Sequence, residues 1–492
     1  MGALVGIGVV ALALRWPDLD SWYWGDEIQT VVISDGSLAD IPARLEKDGA
    51  PPLFYFLLNL WTRVFGTSAT ATHALTTTLS LLTVAAAWWI GRRHSGRVAG
   101  LLAAAAIAVN PYLVLYSTET RNYALFALLG VVAAGFMLDA LRESTRWAHV
   151  ALGVTLGLTM LTHAWGLFFA ASMLGVLLLV AFVRRDRDLG VHALVAGGVA
   201  ALVFLPWLPT FVGQLRHTGA PWNTRYSIFS TVDQLVAYLG DRPVAAVVAL
   251  AVLAGAGAAL LVRKLPIDPV LVAAASGLTL AMAFLVSYIE PIWQARYGIV
   301  VLGVLLLVAG MIGAVTRVGT VALVVAIAAM LLFTVRDVVD RPADAKPDAS
   351  LRDVAAQLEA EPPNFVLSDQ GTLNGLRFHF DDEVGERVVY VSPLGVLDHP
   401  TLYDWRDDLD RLRAADPEAV AASVVDSAEP GDTFVLVRRS TIVPRGESDT
   451  EWQLRYVDTT DALLEAVAGD DRLTLVDEAE TAGWTVTMLQ RA

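Results

Sequence analysis

The sequence has no cysteine and only three lysines among its 492 residues. The first absence excludes disulfides, thiolate metal sites and cysteine nucleophiles together, and leaves the compartment unread. Three lysines stand against 32 arginines, and the C-terminal stretch is rich in aspartate. That composition matches a salt-adapted, GC-rich microbe such as a haloarchaeon. No internal repeat or low-complexity segment interrupts the chain.

What the sequence has in quantity is apolar residues, 55% of the total. Several runs reach the roughly 17–25 residues needed to cross a bilayer. The fold class expected is an α-helical polytopic membrane protein with a C-terminal α/β domain. Spans are read near 2–15, 69–90, 98–115, 122–141, 148–162, 164–183, 191–211, 243–262, 267–287, 297–315 and 318–336, eleven in all. The opening MGALVGIGVVALALRW lacks a basic start and a small-residue cleavage site, so it reads as the first helix and not as a leader.

Arginine clusters set the expected orientation by the positive-inside rule. RRHSGR (92–97), RESTR (142–146), RRDR (184–187), RK (263–264) and Arg317 are separated from one another by two spans each, so all five can face the cytoplasm. The run PPLFYFLLNLWTRVF (51–65) would break that alternation if it crossed, and it opens on Pro51-Pro52. It is therefore expected to lie on the outer face as an interfacial helix. The N-terminus is then inside and the C-terminal domain outside.

The net charge of −15 is concentrated in the tail. Residues 341–492 hold 31 acids and 14 bases, a net −17, whereas residues 1–340 are near balance at +2. Such acidity argues against a nucleic-acid partner. The expected division is a membrane domain at 1–338, with a first outer loop at 16–68, and an acidic extracytoplasmic domain at 339–492. In the tail SLRDVAAQLEA has helical spacing, and NFVLSD, ERVVYVS, DTFVLVRRS and GWTVTML read as strands.

With these sides assigned, the unusual polar residues gather on the outer face. They are Asp26 and Glu27 in SWYWGDEIQT, Glu119, Arg121 and Tyr123 in YSTETRNY, and His163 and Trp165 in THAWG. Trp222 and Arg225 in GAPWNTRY, and Glu290, Arg296 and Tyr297 in SYIEPIWQARY, complete the set. Ionisable residues at membrane level are costly and usually face a cavity or one another. Taken singly each has a plainer reading: the tryptophans as an interfacial belt, the arginines as snorkelling side chains, His163 as an interfacial hydrogen-bonder. Their convergence on one face favours a functional pocket.

The order of these features resembles the C-type glycosyltransferases, in the branch of protein O-mannosyltransferases and lipid A aminoarabinose transferases. GDE follows the first span, then PPLFYFLLNLW with FG, then NPYLVLYSTETRNYAL, FLPWLPTFVGQL with APWNT, and finally ARYGIVVLGVLLLV. The resemblance covers about residues 1–335 and the plan of a variable outer C-terminal domain. One departure is Gly49-Ala50, where the family often carries a His before the two prolines.

The resemblance implies an inverting glycosyltransferase that takes a sugar, mannose or another hexose, from a polyprenyl (dolichyl) phosphate at the extracytoplasmic face. The acceptor would be a surface glycan or glycoprotein: an N-glycan, its lipid-linked precursor, or Ser or Thr directly. Such chemistry needs one base for the incoming hydroxyl and cations for the departing phosphate. Asp26 matches the family's catalytic Asp and is expected as the base, with Glu27 positioning it or the acceptor. Arg121 and Arg296, with Tyr123 and Tyr297, are expected to hold the donor phosphate. Glu119, His163, Trp165, Trp222, Arg225 and Glu290 are the expected pocket for sugar and acceptor. Asp26 and Glu27 also suit a divalent cation, Mg²⁺ or Mn²⁺, but nothing has dedicated ligand spacing and no metal is required. A nucleotide-sugar donor is disfavoured, because no Gly-rich phosphate loop is present. The alternative from another class is a transporter or flippase of lipid-linked sugars, against which stand the missing repeat and the position of the charges at span ends.

Overall fold

The computed structural model describes residues 2–143, 145–342, 346, 350–440 and 449–492. Each of the eleven apolar runs is helical, and among the described residues eight helices are long and apolar enough to cross a membrane. The exceptions are short: Gly2–Ala13, Arg97–Val109 and Arg146–Thr162. Inside a bilayer only such elements satisfy their own backbone hydrogen bonds. Polar residues in the connections start the next helix. Ser68, Asp186, Asp241 and Thr316 each accept a hydrogen bond from a backbone N–H of the first turn they precede.

Two runs are less regular than their hydropathy suggests. The run at 98–115 stops at Asn110, and Pro111 opens a separate short helix, Pro111–Leu115. Pro111 has no N–H to continue the ladder, and the Asn110 side chain caps the new turn by accepting from the Leu113 N–H. The run at 191–211 tightens into a 3-10 turn, Leu205–Trp207, around Pro206. The 51–65 run forms a helix, Leu53–Phe65, with Phe54, Tyr55, Leu58 and Asn59 buried on one face. Phe54 and Leu58 pack against Leu75, Leu79, Ala124 and Leu125, while Leu60, Val64 and Phe65 are exposed.

Contact density divides the chain into two units. The first comprises residues 1–21, 50–211 and 225–342, and the second residues 22–49, 212–224 and 343–492. The outer loop expected at 16–68 is thus shared: residues 22–49 group with the tail.

In the helical unit, three of the five arginine loops meet at one end. Arg93 and His94 both reach Asp139, Arg142 donates to the His94 carbonyl and pairs with Asp268 at 3.2 Å, and Arg184 lies 3.9 Å from the same Asp268. Ser144, in the RESTR loop, lies outside the described residues. Close helix packing relies on glycine. Ala69–Ser95 and Arg97–Val109 approach so closely that a Cβ on Gly100 would stand 2.5 Å from the Trp88 carbonyl oxygen.

The second unit holds a six-stranded sheet. Its strands are β1 (Phe365–Leu367), β2 (Val389–Ser392), β3 (Gly395–Val396), β4 (Thr433–Arg439), β5 (Leu473–Thr481) and β6 (Trp484–Arg491), in the order β3-β2-β1-β4-β6-β5. The central pairs β1–β2 and β1–β4 are parallel and the others antiparallel. Alternation along the strands feeds two cores. Val366, Val435 and Val437 face helices Leu351–Ala360 and Gln370–His379, whereas Phe365, Leu367, Phe434 and Leu436 face Pro417–Ser427 and Glu451–Ala468. All four strand segments and the helix expected in the tail are present. Two strands, β3 and β5, had not been expected.

The glycine contact gives a direct test. Gly100→Val forces the two helices apart and is expected to cost about 1–3 kcal/mol or more. Thermal unfolding of the detergent-solubilised protein should show a lowered midpoint, while Leu179→Met at an exposed helix position leaves it nearly unchanged.

Candidate functional site

At the helix ends remote from the arginine loops, a set of polar and aromatic side chains converges within the helical unit. The segment between Pro111–Leu115 and Tyr123–Glu143 is pinned from three sides. The Thr72 and Thr120 hydroxyls meet at 2.7 Å, the Thr77 hydroxyl donates to the Ser117 carbonyl at 3.1 Å, and the Asn122 amide donates to the Thr162 carbonyl at 2.6 Å. This fixes Arg121, whose guanidinium carbon lies 5.9 Å from the centre of the Tyr123 ring. Arg121 also donates its backbone N–H to the Glu119 carbonyl at 2.7 Å.

His163 ends helix Arg146–Thr162 in extended conformation. Its Nδ1 accepts the Trp165 backbone N–H at 3.1 Å, which leaves the ring proton on Nε2. The ring stacks on Phe126 at 5.1 Å and meets Tyr297 at 4.4 Å. Burial, and then the charges of Arg121 and Arg296, hold this imidazole neutral. The two arginines, 175 residues apart in sequence, each lie beside a tyrosine whose ring meets His163, Tyr123 at 6.4 Å and Tyr297 at 4.4 Å. Arg296 stands 5.8 Å from the Tyr297 ring, and Trp165 packs against Trp293 at 5.3 Å and Tyr297 at 5.7 Å. Trp165 is buried, and its indole N–H finds no acceptor among the described residues.

The structure thus gathers Arg121, Tyr123, His163, Trp165, Arg296 and Tyr297, six of the residues singled out in the sequence. It does not gather all of them. Glu290 is exposed in the turn after helix Ile267–Val286. Arg225 is exposed and reaches only the Ile289 carbonyl at 3.5 Å among its described hydrogen bonds. Trp222 belongs to the second unit, where it packs on Trp405 at 4.3 Å and Trp452 at 6.3 Å.

Asp26 and Glu27 also lie in the second unit, in the first turn of helix Gly25–Ser34. Carboxylates there are favoured by the exposed N–H groups of a helix start. The two neighbours have different surroundings. Glu27 is fully buried, and its Oε2 takes the Lys346 ammonium at 2.7 Å and the Trp24 N–H at 3.4 Å. Asp26 stays partly exposed. The aromatic residues just before them are held by the tail: the Arg352 guanidinium lies 3.7 Å over the Trp22 ring, and Tyr23 meets Phe378 edge-on at 5.8 Å. His379, beside Trp22, is held down to about 4 by burial and by Arg352.

The Asp26–Glu27 pair does not fit a divalent cation. Glu27 is committed to an ammonium group, and among the described residues no three His, Asp or Glu side chains converge as metal ligands.

Two residues here had not been singled out in the sequence. Lys346 sits in an ordinary polar stretch, and its only signal is that lysine is so rare here. Arg15 reads as the flank of an apolar run. It is fully buried and donates to the carbonyls of Ala11 at 2.8 Å and Ala108 at 3.0 Å and to the Ser80 hydroxyl at 3.1 Å.

The architecture is similar to that of solved C-type glycosyltransferases. Residues 49–209 match the family described as dolichyl-phosphate-mannose-protein mannosyltransferase, a stretch that includes Arg121, Tyr123, His163 and Trp165. ArnT from Cupriavidus metallidurans bound to undecaprenyl phosphate has a similar fold, with a TM-score of 0.64 and 16% identity over 99% of this chain and 98% of that one. The archaeal oligosaccharyltransferase AglB from Archaeoglobus fulgidus, in complex with an inhibitory peptide and a dolichol-phosphate, is also similar. Its TM-score is 0.55 at 13% identity, over 99% of this chain and 74% of that one. No curated protein matches the sequence significantly.

The buried ion pair can be tested by a double-mutant cycle. Glu27→Gln or Lys346→Met alone strands a partner and is expected to cost about 3–5 kcal/mol. The two together should cost less than the sum, read as unfolding midpoints in detergent.

Proposed function

We propose that the protein is an integral membrane glycosyltransferase that transfers a hexose, mannose in the first instance, from a polyprenyl (dolichyl) phosphate. The acceptor is a surface glycan or glycoprotein on the extracytoplasmic face. The observation that carries this reading is the grouping of Arg121 and Arg296, through Tyr123 and Tyr297, around His163, with Arg121 and His163 inside the stretch that matches the mannosyltransferase family. Two guanidinium groups suit the oxygens of a phosphate leaving group. Nothing in the fold or in the comparisons favours a transporter of lipid-linked sugars.

In this mechanism the Asp26 carboxylate takes the proton from the acceptor hydroxyl. The oxygen attacks the anomeric carbon from the face opposite the phosphate, and the bond from that carbon to the phosphate oxygen breaks. The electron pair leaves with the lipid phosphate, where Arg121 and Arg296 stabilise the charge that develops. The product is inverted at the anomeric centre, and the phosphate needs no acid. Glu27, bound to Lys346, keeps the turn that carries Asp26 in place and is itself no base. His163 and Trp165 line the sugar side of the pocket. The eleven apolar helices run N-in, with helix Leu53–Phe65 interfacial and the acidic domain outside.

Surface-glycan mass spectra test the reading in a deletion strain complemented with wild type or Asp26→Asn. Deletion should remove one hexose and let its polyprenyl-phosphate form accumulate. Asp26→Asn should do the same, since a general base contributes about 10²–10⁴-fold. A full glycan from Asp26→Asn would remove Asp26 from the mechanism. Arg121→Lys keeps the charge but loses the two-point geometry. It should weaken donor affinity about 10–100-fold, the worth of one charged hydrogen bond, when the donor concentration for half-maximal rate is measured.

A further inference from the structure

We propose that Gln29 is a positioning residue, whose side-chain amide pairs with the Tyr403 peptide and thereby sets the orientation of the helical turn that presents Asp26. The proposal rests on Asp26 being the base. Gln29 lies three residues beyond Asp26 on helix Gly25–Ser34, one turn on and near the same face, and is 7% exposed. Its Nε2 donates to the Tyr403 carbonyl at 3.1 Å, and its Oε1 accepts the Tyr403 N–H at 3.0 Å. An amide is a side chain that offers donor and acceptor together in one plane, so the pairing fixes direction as well as distance. Nε2 also reaches Asp48 Oδ1 at 3.4 Å.

The anchor is stiff. The Tyr403 phenol donates to Asp408 at 3.0 Å, and that buried carboxylate also accepts from the Trp452 indole at 2.7 Å and from Arg411 at 2.8 Å. The Tyr403 ring stacks on Trp405 at 4.1 Å, and the Trp405 N–H donates to the Lys47 carbonyl at 2.9 Å. Asp26 is thus bracketed by two fixed neighbours, Glu27 on Lys346 and Gln29 on Tyr403. Lys346 and Tyr403 both belong to the acidic tail. That gives the tail a task in the reaction: it holds the base where the acceptor hydroxyl must meet it. A buried amide kept only for stability needs the same partners, so the test must separate rate from folding.

The experiment uses the full-length protein in detergent. The substrate is a detergent extract of deletion-strain membranes, which supplies both accumulated donor and unmodified acceptor. Transfer is followed by the glycan mass shift at varied extract concentration. Gln29→Met keeps volume and removes both hydrogen bonds. It should lower the maximal rate about tenfold or more, as misplacing a catalytic group does, with the half-saturating extract concentration changed less than about twofold. In Gln29→Glu only the protonated carboxyl can both donate to and accept from the Tyr403 peptide. Burial, the Tyr403 carbonyl, Asp48 and the nearby carboxylates of Asp26 and Glu27 favour that form, and the Lys346 ammonium paired with Glu27 opposes it. Its rate relative to wild type should therefore rise as pH falls, whereas the ratio for Gln29→Met stays flat. A wild-type maximal rate in Gln29→Met, or a loss confined to half-saturation, overturns the proposal, and so does a pH-independent Gln29→Glu ratio. Asp26→Asn is run beside them: if it turns over normally, the assignment of the base fails, and that failure is distinct from a failure of Gln29 alone.

Discussion

Two adjacent carboxylates cannot do the same work when one is inside the protein and the other at its surface. Glu27 is fully buried and bound to the ammonium of Lys346, 319 residues away, while Asp26 remains partly exposed at the helix start. A buried carboxylate without such a partner would be strongly disfavoured. The ion pair therefore decides which of the two carboxylates stays open to solvent, and it ties helix Gly25–Ser34 to the tail. Trp22 under Arg352 and Gln29 on the Tyr403 peptide make further ties between the same two stretches of chain.

The helical unit meets a different constraint. Arginines of this unit stand at both of its ends. Arg93, Arg142 and Arg184 sit with Asp139 and Asp268, as charges do where water and headgroups screen them. Arg121 and Arg296 sit among Tyr123, Tyr297 and the neutral ring of His163. Near apolar walls an interaction with an anion is stronger than in water, which suits a site that must stabilise a departing lipid phosphate.

Much of this was legible in the sequence because the bilayer leaves few options. Runs of apolar residues with arginine between them read as helices and turns, and every such run is a helix. The grouping of Arg121, His163 and Arg296 was legible only through the shared side to which their loops were assigned. What escaped was either local or very distant. The break at Asn110 lies inside an unbroken apolar run and depends on one proline. Strand β5 carries Asp477, Glu478 and Glu480, charges that protect a sheet edge and erase the alternation by which strands are recognised. Lys346 and Gln29 act through partners more than 300 residues away, and no spacing rule reaches that far.

The central claim is that the cluster around His163 receives the phosphate of a lipid-linked sugar. A cryo-electron microscopy structure of the full chain with dolichyl phosphate tests it most directly. The account predicts phosphate density within hydrogen-bonding distance of both the Arg121 and Arg296 guanidinium groups. Phosphate density bound elsewhere, with both arginines left on their present neighbours, would contradict it.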